Sequence, residues 1–238
     1  MAARLGTRHW TRWLALGVAA AVVAIVGGPY VYIHFIEGKA PPPLAFISPS
    51  PSGSAAATTS GQTNPAQDGA WTVTADSVVG YRLNEVLFGQ SNEAVGRTNA
   101  ITGSMTVDGA TVTAATFTVD MTTVTSDESL RDEQFNGRIM DTATYPTATF
   151  TLAAPIKLGA NADDGSSQTA QATGKLTLHG VTRTVTFEVM GRYVDSTVQM
   201  VGSIPVTFAD WGIPNPSFGP VTTEDHGLLE FSLNLAHG

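Results

Sequence analysis

From Trp71 to the C-terminus, apolar and polar residues alternate with a period of two, the pattern of strands that bury one face. Trp71, Val73 and Ala75 share a face, as do Val79, Tyr81 and Leu83. Between Asn84 and Thr98 the alternation fades, and glycines and polar residues predict a loop or a short helical excursion. It resumes from Ile101 to Val107, turns at Asp108-Gly109, a strong hairpin signal, and returns through Val112, Phe117, Val119 and Met121. Tyr145-Pro146 introduces a strand in which Ala148, Phe150 and Leu152 alternate with Thr147, Thr149 and Thr151; Ile156 and Leu158 extend it. Ala170, Ala172, Leu176 and Leu178 predict the next strand, and His179-Gly180 turns it into Val185, Phe187 and Val189. A turn at Asp195-Ser196 leads to Met200, Ile204, Val206 and Phe208, and Leu229, Phe231, Leu233 and Leu235 form a closing strand.

One helix interrupts this pattern. Asp127 is placed to cap it and Asn136-Gly137 to stop it, while Arg131-Asp132 followed by Phe135, Ile139 and Met140 predicts a lid across the end of a sheet or barrel. Eight or so alternating strands, without a helix long enough for a crossover, predict an all-β antiparallel fold. Period alone leaves two architectures, a sandwich or a closed barrel.

The N-terminal third reads differently. Residues 1–13 form a basic tail with Arg4, Arg8 and Arg12, and residues 14–36 are apolar enough for a transmembrane helix. A cleaved signal peptide is the rival reading, with a shorter apolar core. Retention of the span, with the arginines inside, predicts a single-pass protein of the cell membrane whose C-terminal domain is extracytoplasmic. Residues 37–70, rich in Pro, Ser, Ala and Thr, predict a disordered linker before the β-domain of residues 71–238.

Composition narrows the chemistry. The chain has no cysteine, a net charge of −8 and 13% charged residues. That excludes a disulfide scaffold and a thiolate site and argues against a nucleic-acid partner, which needs clustered Lys and Arg. Five histidines do not cluster at metal-ligand spacing. His226, beside Glu224 and Asp225, reads as a solvated loop residue, and Asn161-x-Asp163-Asp164-Gly165 lacks the spacing of a calcium loop. No nucleophile–base constellation stands out, so neither catalysis nor a cofactor is expected.

Two blocks carry a resemblance. Arg131-Asp132-x-x-Phe135, then Asp141, then Tyr145-Pro146-Thr147-x-Thr149-Phe150 resembles the hallmark of the YceI-like proteins. Gly174-Lys175-Leu176-Thr177-Leu178-His179-Gly180-Val181-Thr182-Arg183 is similar to a second block of that family. The resemblance implies an eight-stranded lipocalin-like β-barrel with a short lid helix and a polyisoprenoid lipid inside, such as a quinone tail or a prenyl phosphate. On that reading Phe117, Val119, Met121, Phe150, Leu152, Leu176, Leu178, Phe187, Val189, Val206, Phe208 and Phe231 line the tube. Phe135, Ile139, Met140 and Tyr145 form the lid, Arg131 reaches a head group or bridges neighbouring loops, His179 serves the turn or the ligand, and Trp211 sits at the rim. The competing expectation is an extracytoplasmic sensor or interaction module with a solid core, whose protein partner the sequence does not name.

Overall fold

A computed structural model describes residues 40–46, 68–158 and 166–238, together with Trp13 and Gly17. The alternating segments form antiparallel strands that close on themselves. A first stave consists of β1 (Gly69–Val73) and β2 (Val78–Leu87), and a second of β3 (Gln90–Thr98) and β4 (Ile101–Asp108). β1 pairs with β4 and β2 with β3, so the two staves are one long hairpin with a kink in the middle. Then follow β5 (Thr111–Asp120), β6 (Thr147–Leu152) continued by β7 (Ile156–Lys157), β8 (Gln168–Leu178), β9 (Val181–Val194) and β10 (Thr197–Thr207). The short β11 (Val221–Thr223) extends the edge of β2, and β12 (His226–His237) is the eighth stave. Each stave pairs with the next in sequence, and β12 closes the ring against β2 at Leu228 to Ser232 and against β1 at Leu235 to His237. Of the two architectures open to the alternation, the closed barrel is the one adopted.

The kink between β1 and β2 is satisfied polar structure. Ser77 is fully buried, its hydroxyl donating to the Asn234 carbonyl at 3.2 Å and accepting the Asn234 N–H at 2.9 Å. The outward face is polar in ranks: Thr102, Thr118, Thr149, Thr177 and Thr182 lie opposite one another across five strands. Inward residues form two clusters. At the floor end Trp71, Met105, Val107 and Leu235 pack together. At the lid end Met121, Phe135, Met140, Leu178 and Trp211 do.

The region from Asn84 to Thr98 departs from expectation. It is neither loop nor helix; β2 runs on to Leu87, turns at Phe88-Gly89 and returns as β3. The alternation is masked because the inward positions here carry Glu85, Asn92, Gly96 and Thr98 rather than aliphatic residues.

The lid also differs in detail. Helix α1 (Ser129–Gln134) begins after Glu128, and Asp127 does not cap it; the Asp127 carboxylate instead pairs with Arg131. Asn136-Gly137 does not stop the helix, which widens into a π-helical turn over Phe135–Ile139, with the Met140 N–H donating to the Phe135 carbonyl at 2.8 Å. That wider turn lets both Phe135 and Met140 be buried, and the chain reverses only at Asp141, whose φ is 43°.

Upstream, no described helix is long and apolar enough to cross a membrane. The basic tail and the apolar span, apart from Trp13 and Gly17, fall outside the described residues, as does the Asn161–Gly165 run. Residues 40–46, within the stretch whose composition predicts a disordered linker, lie against the barrel instead. Arg82 donates to the Pro41 carbonyl at 2.7 Å, Arg97 donates to that of Pro42, and the Ser232 hydroxyl donates to that of Ala45 at 3.1 Å. The Arg192 guanidinium sits 4.5 Å from the centre of the Phe46 ring. The physical reason is that a proline-rich chain is already extended and has free carbonyls, which outward-facing arginines can cap.

Candidate ligand cavity

Inside the barrel lies a cavity of about 550 Å³, within the range of small-molecule sites. Its wall is made by inward positions of almost every stave together with the underside of the lid. Phe117, Val119 and Met121 reach it from β5 and its end, Phe150 and Leu152 from β6, and Leu176 and Leu178 from β8. Phe187 and Val189 come from β9, Val206 and Phe208 from β10 and its end, and Phe231 from β12. The lid contributes Arg131, Phe135, Ile139 and Met140. Phe150 meets Phe187 edge-on at 5.5 Å, and Phe187 meets Phe231 at 5.8 Å, so three rings brace one another around the tube.

Small residues make room for those rings. A Cβ on Gly174 would fall 2.3 Å from the Phe150 ring, and one on Gly96 would fall 2.3 Å from the Tyr81 ring. Ala172, almost fully buried on β8, faces the cavity beside Phe187. Ala170, on the same face, is only half-buried near the strand's start.

Tyr145, His179 and Trp211 lie off the cavity wall and pack on one another at the lid end. The Tyr145 and His179 rings are 4.6 Å apart, and His179 Nδ1 is 3.2 Å from the Trp211 carbonyl. His179, with φ at 49°, and Gly180 form the tight turn between β8 and β9. Arg183 covers Trp211, its guanidinium 5.8 Å from the ring centre. The indole N–H of Trp211 is buried with no hydrogen-bond partner among the described residues. These residues shut one side of the barrel end.

The polar part of the wall is less visible in sequence. Arg131 reaches from α1 to Glu85 on β2 at 3.1 Å, and Glu85 also accepts from the Asn92 amide at 3.0 Å. Burial acts to lower the guanidinium pKa, but Glu85 and Asp127 outweigh it and the net shift is upward. Asp132 acts elsewhere, accepting from the Ser126 N–H at 2.8 Å and the Ser126 hydroxyl at 2.7 Å, which fixes the chain before α1. Tyr81 stacks on Phe135 at 5.2 Å, and burial pushes its phenol pKa well above the ordinary value. Tyr81 shares its face with Val79 and Leu83 in the sequence, whereas Glu85 could have been found only by carrying the period-two register through Asn84.

A second charged group lies on the opposite face of β2 and β12. Arg82 and Glu230, both buried, pair at 2.8 Å, and Arg82 also reaches Glu93 at 3.0 Å. The strap of residues 40–46 runs over this group. His226 is exposed and pairs with Asp225 at 2.8 Å, which raises its pKa. Among the described residues no cluster of His, Asp or Glu is arranged to hold a metal ion.

The cavity opens on one side of the lid, where three large apolar side chains on its wall face solvent. Phe88 at the β2–β3 turn is 57% exposed, Leu130 on α1 59% and Phe218 before β11 54%. Arg138 ties the last of these to the lid, donating to the carbonyls of Asn215 at 3.0 Å and Pro216 at 2.8 Å and lying 5.8 Å from the Phe218 ring.

Known proteins share this architecture. A family model described as the YceI-like domain matches residues 71–235. No curated protein matches the chain. A polyisoprenoid-binding domain from Saccharophagus degradans, implicated in plant cell wall breakdown, superposes with a TM-score of 0.56 at 16% identity, over 71% of this chain and 99% of that one. Burkholderia cenocepacia BcnA gives 0.54 at 23% identity, over 68% of this chain and 98% of that one. At these identities the likeness is one of fold.

Proposed function

The chain belongs to the YceI-like family, and on that premise we propose that residues 71–238 form a non-catalytic lipid-binding barrel that encloses a polyisoprenoid chain. The observation that carries this reading is the 550 Å³ cavity, walled by interlocked phenylalanines and aliphatic residues inside a closed barrel. Desolvation supplies the affinity: at about 0.8 kcal/mol per buried CH₂, each five-carbon unit contributes on the order of 4 kcal/mol before the cost of ordering it. The name of the Saccharophagus degradans domain, a polyisoprenoid-binding protein of the same fold, points the same way. A solid-cored interaction module would not leave such a space. The domain works outside the cytoplasm and is tethered through residues 14–36; Arg4, Arg8 and Arg12 before that apolar stretch support this placement.

Native mass spectrometry of the full chain, extracted in mild detergent from the membranes in which it is naturally made, tests the proposal. A bound isoprenoid, released on denaturation, is the expected result. A protein of bare mass that also fails to take up a short-chain isoprenoid quinone would overturn it.

A further inference from the structure

The apolar rim at the mouth and the direction of the strap together bear on how a water-insoluble ligand would reach the cavity. We propose that Phe88, Leu130 and Phe218 form a docking rim that inserts into a lipid bilayer surface, so that the cavity opens directly onto the membrane. The inference rests on the lipid-binding reading and on the tether through residues 14–36 proposed with it.

Three observations converge. First, these residues come from three separate elements, yet all line the cavity and all are more than half exposed, although a large side chain normally escapes water where it can. The Arg138 bonds hold the Phe218 loop against the lid, so the rim is a fixed surface. Second, the strap has a direction. Pro41 meets Arg82, Pro42 meets Arg97 opposite Gly80, and Ala45 meets Ser232 opposite Val78. Along β2 that order, 82 to 80 to 78, leads away from Phe88, so residue 40 is the strap's mouth-side end. Third, only residues 37–39 separate it from the apolar stretch 14–36, and four chain links span at most about 14 Å. The strap therefore replaces a long tether with a short one, attached on the mouth side.

Charge decides which membrane surface fits. Around the rim stand Glu85, Asp127 and Glu128, against Arg131 and Arg138. Arg131 is already engaged by two carboxylates, which leaves no basic patch for anionic lipid. A zwitterionic surface is the partner, held by apolar insertion.

The absence of native cysteine makes the test direct. Single variants Phe88→Cys, Leu130→Cys, Phe218→Cys and, at the floor end of β5, Thr113→Cys carry an environment-sensitive fluorophore on the full chain. The chains are reconstituted in phosphatidylcholine vesicles containing a lipid with a nitroxide near the head of its acyl chain. Insertion by about 5–10 Å should roughly halve the fluorescence at positions 88, 130 and 218 and leave position 113 unchanged. Adding phosphatidylglycerol should not deepen the quenching. No quenching at the rim, quenching at position 113 instead, or rim quenching that appears only with phosphatidylglycerol would each overturn the proposal. A chain that carries isoprenoid by mass spectrometry yet shows no rim quenching would sink this inference alone.

Discussion

Single side chains here act in ways that their residue type does not advertise. Gly174 has ordinary strand geometry, and its value is absence: the Phe150 ring lies where its Cβ would be, with the Thr151 carbonyl a further obstacle at 2.7 Å. Gly174→Ala should therefore cost about 1–3 kcal/mol of unfolding free energy, the range for overpacking a filled site, measured by denaturant titration. An unchanged midpoint would show that the Phe150 ring moves freely. Arg131 is the other instructive residue. The sequence leaves it between a bridge to neighbouring segments and a head-group contact; the structure shows the bridge, to Glu85 and Asp127, and the first of these lies 46 positions away. Arg131→Ala should lower stability by about 1–3 kcal/mol, because a buried Glu85 loses its charge partner while keeping the Asn92 amide. If isoprenoid retention falls as well, while Glu85→Gln lowers stability alone, the guanidinium also serves the ligand.

Among the elements, those whose buried face is aliphatic are readable from their alternation, and those stabilised by polar pairing are not. β5, β6, β8 and β12 show alanine, valine, phenylalanine or leucine at most alternate positions. β2 and β3 hide the same geometry behind Glu85, Asn92 and Gly96, because a buried carboxylate paired with Arg131 looks like a surface to any count of hydrophobic residues. The linker misleads for a related reason: a proline-rich segment has little to bury, and what orders residues 40–46 are arginines donated by strands far along the chain. Arg82 is the centre of that arrangement. Arg82→Ala should cost about 3 kcal/mol, since Glu230 remains buried with only the more distant Arg97 guanidinium, at 3.9 Å, to offset its charge. The double variant Arg82→Met with Glu230→Met should recover much of that loss, and an additive loss in the double variant would contradict the pairing.

For the molecule as a whole, the cavity sets the sign of an unusual prediction. Ala172→Phe places a ring in the empty tube beside Phe187, so the ligand-free protein should keep its stability or gain slightly while isoprenoid uptake is lost. In a packed core the same change would be strongly destabilising, and thermal melts with and without lipid separate the two outcomes. The barrel and its lid could be anticipated from pattern and resemblance. The open mouth could not, because it depends on which of several exposed apolar residues converge in space. Closure of the ring also implies an order in time. Every stave pairs with its neighbour in sequence, so the chain can zip from local hairpins, and only the join of β12 to β1 and β2 must bring distant segments together. The strap crosses that join from outside, touching β2, β3, β12 and β9. A clasp laid over the last seam to form is also over the first seam that must open, so its contacts hold back unfolding without hastening folding. Seven residues that lie outside the barrel thereby lengthen the lifetime of its folded state.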